Sequence, residues 1–242
     1  MPSKFATAGG AMQPEFEKDS TQQPGGSSTR GPLGQQAYDK LFEAIQSGRL
    51  PPGSRIRETE LTDWLQMSRT PLRDALQRLE GEGLLRHESH RGIVIARLDR
   101  QMVVELYTAR EWTEAAAASL AARHAVDAEI ETMLHLLKLE REAADDPAAG
   151  ARINRKLHLT IYDATHNRYL MAQLRSLSAV LALAGNSTRR SPTRVRDAHR
   201  EHELIVDAIA ARNPAAAEAA ARQHIHAAQR MVLSNWLEDM PS

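Results

Sequence analysis

The sequence predicts a mainly α protein in two parts: a small three-helix unit closed by a β-hairpin, then a larger domain built only of helices. Three observations predict it. From about Gly34 to Leu79, apolar residues recur at helical spacing. The stretch LLRHESHRGIVIARL that follows holds two short strand-like runs around a polar, glycine-containing turn. Beyond Leu98 the pattern turns wholly helical.

Taken in order, residues 1–33 include KDSTQQPGGSSTRGPL, rich in Gly, Ser, Pro and Gln and poor in apolar residues. Such a segment cannot bury enough surface to offset its ordering entropy, so a flexible tail is expected, with folding on DNA or a partner as the alternative. The first helix carries Ala37, Leu41, Ile45 and Leu50 near one stripe, and PPGS at 51–54 breaks it. RETELTDWLQ reads as a short second helix with Leu61, Trp64 and Leu65 inward. The third helix starts at Ser68, a suitable N-cap, with Pro71 in the first turn, where its missing N–H costs little. Leu72, Ala75, Leu76 and Leu79 form its buried stripe, and Gly81 and Gly83 end it. Helix, helix, short turn, helix, hairpin is the layout of a winged helix-turn-helix over residues 34–98, whose third helix enters the major groove by its N-terminal end. Residues 99–242 then form an all-α helical-bundle effector domain, with helices expected at 100–124, 126–144, 148–165, 168–185, 191–212 and 214–236. The breaks are DDPAAG, THNR, GNSTRRSP and RNP, and alanine is dense at 115–122 and 215–222, which favours helix and close packing.

Composition bounds the function. The chain has 242 residues, 42% of them apolar, enough for a substantial core in two domains. It has no cysteine, so disulfide frameworks and thiolate metal sites are excluded. No long apolar run or basic-then-apolar leader is present, so a cytoplasmic protein with no membrane partner is expected. The formal net charge is zero, so any basic surface for nucleic acid must be local.

Such a local surface is found at the front of the third helix. Arg69 and Arg73 lie four residues apart, share a face, and point away from the leucine stripe. Two cations at a helix N-terminus oppose the helix dipole, which an anion nearby would relieve. Double-stranded DNA supplies phosphates and guanine O6/N7 edges for such arginines, while Ser68 and Thr70 can add hydroxyl contacts. Arg91 and Gly92 at the hairpin tip offer a second contact. The competing reading is a solvated face with local partners such as Asp74.

Three of the ten histidines sit on apolar stripes: His158 with Ile161 and Thr165, His202 with Ile205 and Ile209, and His224 with Ala221, Ala228 and Met231. Asn154 lies one turn before His158 on the same side. Three inward imidazoles and an amide oxygen would suit a divalent metal such as Zn²⁺ or Ni²⁺; satisfied core histidines are the alternative. His199 could share the side of His202, whereas His226 faces away from that of His224. Arg110 precedes Glu114 by one turn, a spacing that suits an ion pair within the helix. Asn167, in THNRYL, fits a helix-terminating turn.

PPGSRIRETELTDWLQMSRTPLRDALQRLEGEGLLRHESHRGIVIARL resembles the DNA-binding domain of the GntR family of bacterial transcription regulators, with SRTPLRDALQRLEGEGL as its most specific part. LYTAREWTE, NRKLHLTIYDATHNRYL, REHELIVDAI and RQHIHAAQ resemble the FadR-type (FCD) effector domain, so the likeness covers about 34–236. The resemblance implies that Arg69 and Arg73 are the main DNA contacts, supported by Ser68, Thr70, Arg91 and Gly92. Many members carry an arginine where this chain has Thr59. It also implies metal ligation by His158, His202 and His224, with Asn154 in place of the family aspartate, and selects His202 over His199. Arg110 is implied as a clamp for a carboxylate of the effector. The function so implied is a ligand-responsive regulator and repressor: a homodimer on operator DNA, modulated by a small carboxylate effector. A direct metal sensor, a metal-dependent hydrolase and an architectural DNA binder are the rivals. For the hydrolase, no general-base carboxylate is identified beside the cluster in sequence, though one could approach through folding, and no phosphate-binding glycine loop or serine-nucleophile motif is present.

Overall fold

A computed structural model describes residues 30–184 and 192–238. The chain divides into two compact units between Arg97 and Leu98. Residues 1–29 of the expected tail lie outside the described residues. The rest of that segment is helical: α1 spans Arg30–Gln46 and begins four residues before Gly34. Pro32 falls in its first turn, where proline's fixed φ suits a helix, so a composition that reads as loop starts one.

In the first unit α1, α2 (Glu58–Leu65) and α3 (Arg69–Gly81) enclose a core that includes Leu41, Ile45, Leu61, Leu72 and Leu79, each 0–1% exposed. Tyr38 on α1 donates to Glu82 at 2.6 Å, and the Arg78 guanidinium stacks 3.7 Å over the same ring. Helix α3 ends on Glu82, and Gly83 follows with φ +78°, a left-handed conformation that glycine adopts without strain. Strands β1 (Leu85–Glu88) and β2 (Gly92–Ile95) pair antiparallel, Leu85 opposite Ile95 and Glu88 opposite Gly92. An extension absent from the sequence reading joins them: Arg55 bridges Val94, with Ile56 N–H donating to Ile93 and Ile95 N–H to Ser54. The wing is thereby tied to the segment that enters α2.

The second unit contains α4 (Arg100–His124), α5 (Asp127–Glu142), α6 (Pro147–Asp163), α7 (Arg168–Val180), a 3₁₀ turn (Leu181–Ala184), α8 (Pro192–Ala210) and α9 (Pro214–Glu238). These follow the expected helices within a few residues, save that α7 tightens into the 3₁₀ turn for its last four. Side chains set several starts: Asp99 accepts from Met102 N–H, Asp146 from Ala148 and Ala149, and Asn167 from Tyr169 and Leu170. Each such cap stabilises its helix by about 1 kcal/mol. Asn167 thus caps the start of α7. Alanines 115, 117, 118, 121 and 122 of α4 and 217 and 221 of α9 are buried, small enough to let these long helices pack closely. Leu157, Ile161, Tyr162, Ile205 and Ile209 join the main core; Val103, Tyr107, Ile225 and Val232 form a smaller one.

Candidate DNA-reading surface and buried histidine site

Ser68 occupies the N-cap position of α3 with extended backbone, and its hydroxyl makes no capping bond. Ser68, Arg69, Thr70 and Arg73 are all exposed. The helix-turn-helix brings the first turn of α2 beside α3, and Arg73 Nε donates to Glu58 Oε2 at 3.0 Å. Its local partner is therefore Glu58, fifteen residues upstream, and not the neighbouring Asp74. Arg69 makes no side-chain hydrogen bond or ion pair among the described residues. At the wing tip Arg91 is exposed, and donates to Glu88 at 3.0 Å and to the Gly53 carbonyl at 3.3 Å. Gly92 has φ +76° and open space where a side chain would stand, so the backbone there can approach a surface closely.

Deep in the second unit, His158 from α6, His202 from α8 and His224 from α9 converge, each offering a ring nitrogen within 4.8 Å of the other two. Their exposures are 9%, 1% and 5%. Behind each imidazole stands a carboxylate. His158 Nδ1 lies 3.0 Å from Glu114 Oε2, His202 Nδ1 2.9 Å from Glu140 Oε2, and His224 Nδ1 2.8 Å from Glu201 Oε2. An ionised carboxylate only accepts, so each Nδ1 carries a proton, and a ring in its neutral form keeps its lone pair on Nε2. His202 Nε2 is buried without any partner. Three mutually facing imidazoles, each held through Nδ1 by a carboxylate, form a group that could hold a metal ion.

Two of these carboxylates are themselves gripped by buried arginines. Glu114 Oε1 accepts from Arg110 Nε at 2.7 Å, and Glu201 takes both terminal nitrogens of Arg194 at 2.9 and 2.8 Å. Burial would raise the Glu114 pKa, but Arg110 and His158 outweigh it and hold the group well below the usual carboxylate range. Burial would likewise lower the Arg110 pKa; the Glu114 charge reverses this and holds it above its ordinary value. Arg110 thus forms the ion pair its spacing suggested, inside the protein rather than at its surface. The guanidinium lies 4.8 Å over the Tyr107 ring.

Desolvation pushes His202 below its ordinary pKa, and desolvation together with the other two histidines pushes His224 well below it. The unfolded chain therefore binds more protons than the folded one once pH falls below about 6.5. Stability is complete above that pH and is lost as pH falls toward the folded pKa values. The melting temperature of metal-free protein is expected to drop between roughly pH 7 and pH 5, and to drop less in His224→Gln. Parallel melting curves across that range check it.

The other sequence candidates fall around the cluster. His199 bonds Glu140 and Glu203, both at 3.2 Å, and His226 pairs with Glu111 at 2.8 Å. Asn154 is half-buried on α6, one turn before His158. The sequence reading missed Glu140, Glu201 and Arg194. Glu140 left a signal: it continues the Met133, Leu136, Leu137 stripe of α5, where a charge signals a buried partner.

An exposed basic edge on a winged helix-turn-helix, joined in one chain to a helical domain with a buried histidine site, defines a DNA-binding transcription regulator. The model of the bacterial regulatory proteins of the gntR family matches residues 33–95, and that of the FCD domain matches 105–227. The chain belongs to the GntR family and carries an FCD domain. It is 31% identical to the probable D-xylose utilization operon transcriptional repressor of Paenarthrobacter nicotinovorans, over 82% of this chain and 88% of that one. To the regulator LutR of Bacillus subtilis (strain 168) it is 28% identical, over 81% and 98%. The solved structure of E. coli McbR/YncC superposes with a TM-score of 0.77 at 20% identity, covering 84% and 98% of the two chains. The two sequence relatives are named as a transcriptional regulator and a probable transcriptional repressor. Among the described residues no helix is long and apolar enough to cross a membrane.

Proposed function

We propose that this regulator is a homodimeric repressor whose hold on operator DNA is set by a small organic acid bound at a metal site in its helical domain. The observation that carries the reading is the pairing of all three buried imidazoles, through Nδ1, with Glu114, Glu140 and Glu201. Packed cores do not need three convergent imidazoles each paired with its own carboxylate, and a cation does. His158, His202 and His224 would hold Zn²⁺ or Ni²⁺, with Asn154 as a weaker oxygen donor than a carboxylate. The ion supplies a Lewis-acidic centre for a carboxylate of the effector. Arg110, fixed by Glu114, offers the rest of its guanidinium to the same acid.

Arg69 and Arg73 enter the major groove, with Ser68 and Thr70 on phosphate and the Arg91–Gly92 wing alongside. Two copies place two reading helices on a pseudo-palindromic site. The repressor named among the relatives supports the sign of control. Acid and DNA binding are coupled, so each weakens the other by the same factor.

Metal analysis of the purified protein tests the site. One divalent ion per chain is expected, with loss in His158→Ala and in His202→Ala. A wild-type chain that retains no Zn²⁺ or Ni²⁺ with or without added carboxylic acids refutes it. Operator affinity that responds to the metal alone would make the ion itself the signal.

A further inference from the structure

The two arginines at the front of α3 are held differently. Arg69 is without a partner among the described residues, while Arg73 gives its Nε to Glu58 at 3.0 Å. The Arg73 side chain is still 62% exposed and that of Glu58 31%, so the contact sits at the open edge of the unit. An exposed ion pair of this kind adds little to folding. Its effect is on the shape presented to a duplex. With Nε engaged, the two terminal nitrogens of Arg73 remain as a fork, which is the part of arginine that matches guanine O6 and N7. The long side chain then has less rotamer freedom to lose on binding. The Glu58 carboxylate also repels any phosphate within reach of Arg73, which disfavours contact without sequence.

We propose that Glu58 is a positioning residue that makes Arg73 the base reader of α3 and leaves the unrestrained Arg69 to adapt to phosphate. This rests on the DNA-reading role assigned to α3 above and goes beyond it by dividing the labour between the two arginines. It predicts that Glu58 governs specificity more than affinity, and through one base pair.

The test uses the full chain and a library of randomised duplexes. Preferred sequences are selected with the wild type, Arg73→Ala, Glu58→Ala and Glu58→Gln, and affinities are then measured for the enriched duplex and for a scrambled one. Melting temperatures confirm that each variant is folded. Arg73→Ala is expected to erase the preference at one base pair of each half-site, a loss of roughly five- to 150-fold in discrimination. Glu58→Ala should relax that same base pair by about fivefold while raising affinity for scrambled DNA, because a carboxylate facing the phosphates is gone. Glu58→Gln, whose amide oxygen still accepts from Nε, should recover part of the preference. If Glu58→Ala keeps the base pair fully specified, or raises affinity for both duplexes alike, Glu58 merely competes with DNA and the proposal is overturned. If Arg73→Ala itself leaves every position unchanged, the DNA-reading role of Arg73 fails first and the buttress falls with it.

Discussion

Arg69→Ala combined with Arg73→Ala is expected to abolish sequence-selective DNA binding and leave the fold intact. Both side chains are exposed, and neither contributes to the leucine core of the first unit, so stability should change little. The loss on DNA is large because two kinds of contact vanish together. A bidentate arginine on guanine is worth about 1–3 kcal/mol of discrimination in each half-site. Removing a phosphate contact lowers the salt dependence, so the slope of log affinity against log salt should fall by about one per site. Affinity measured at several salt concentrations, with selected and scrambled duplexes, separates the two effects. A double variant that still distinguishes the duplexes would place the reading surface elsewhere.

The second large effect is expected in the interior. Glu114→Ala strands Arg110 at 5% exposure without its counter-charge and leaves the His158 Nδ1 proton unpaired. Breaking a buried pair on one side costs about 3–5 kcal/mol, enough to threaten a domain of ordinary stability. Adding Arg110→Met to the same chain should recover part of that loss by removing the stranded cation. Denaturant unfolding of the two variants measures both numbers. Metal retention should fall in both, because the imidazole of His158 is no longer fixed; outer-shell losses of this type weaken metal binding by about 10- to 100-fold. Equal stability in the wild type and Glu114→Ala would mean that the buried ion pair carries no structural weight.

The sequence made some of this legible and hid the rest for physical reasons. Periodicity placed α2 to α9 and the hairpin within a few residues, because the helices bury apolar stripes and several breaks hold Gly, Pro or a capping side chain. The start of α1 escaped because Gly and Pro also occur in first turns. The histidines were visible as polar residues on apolar stripes. Their carboxylate supports were harder to see: Glu114 and Glu140 reach His158 and His202 across 44 and 62 residues, distances that no local pattern encodes. Arg194 and Glu201 are seven apart on α8, two turns rather than the single turn of an ordinary helix ion pair. Likewise the Arg73–Glu58 contact exists only because the turn between α2 and α3 folds one helix start against the other.

Coupling between the buried imidazoles and the reading helix is tested most directly by one titration. The selected duplex is titrated with protein pre-incubated with Zn²⁺, in the absence and presence of an excess of pooled short-chain hydroxy- and dicarboxylic acids, for the wild type and for His202→Ala, the variant expected not to hold the ion. The acids are expected to weaken wild-type binding by roughly five- to 150-fold, the usual range of a coupling free energy, and to leave the variant unmoved. Wild-type affinity that stays the same with and without them would contradict the regulator reading built on the histidine site.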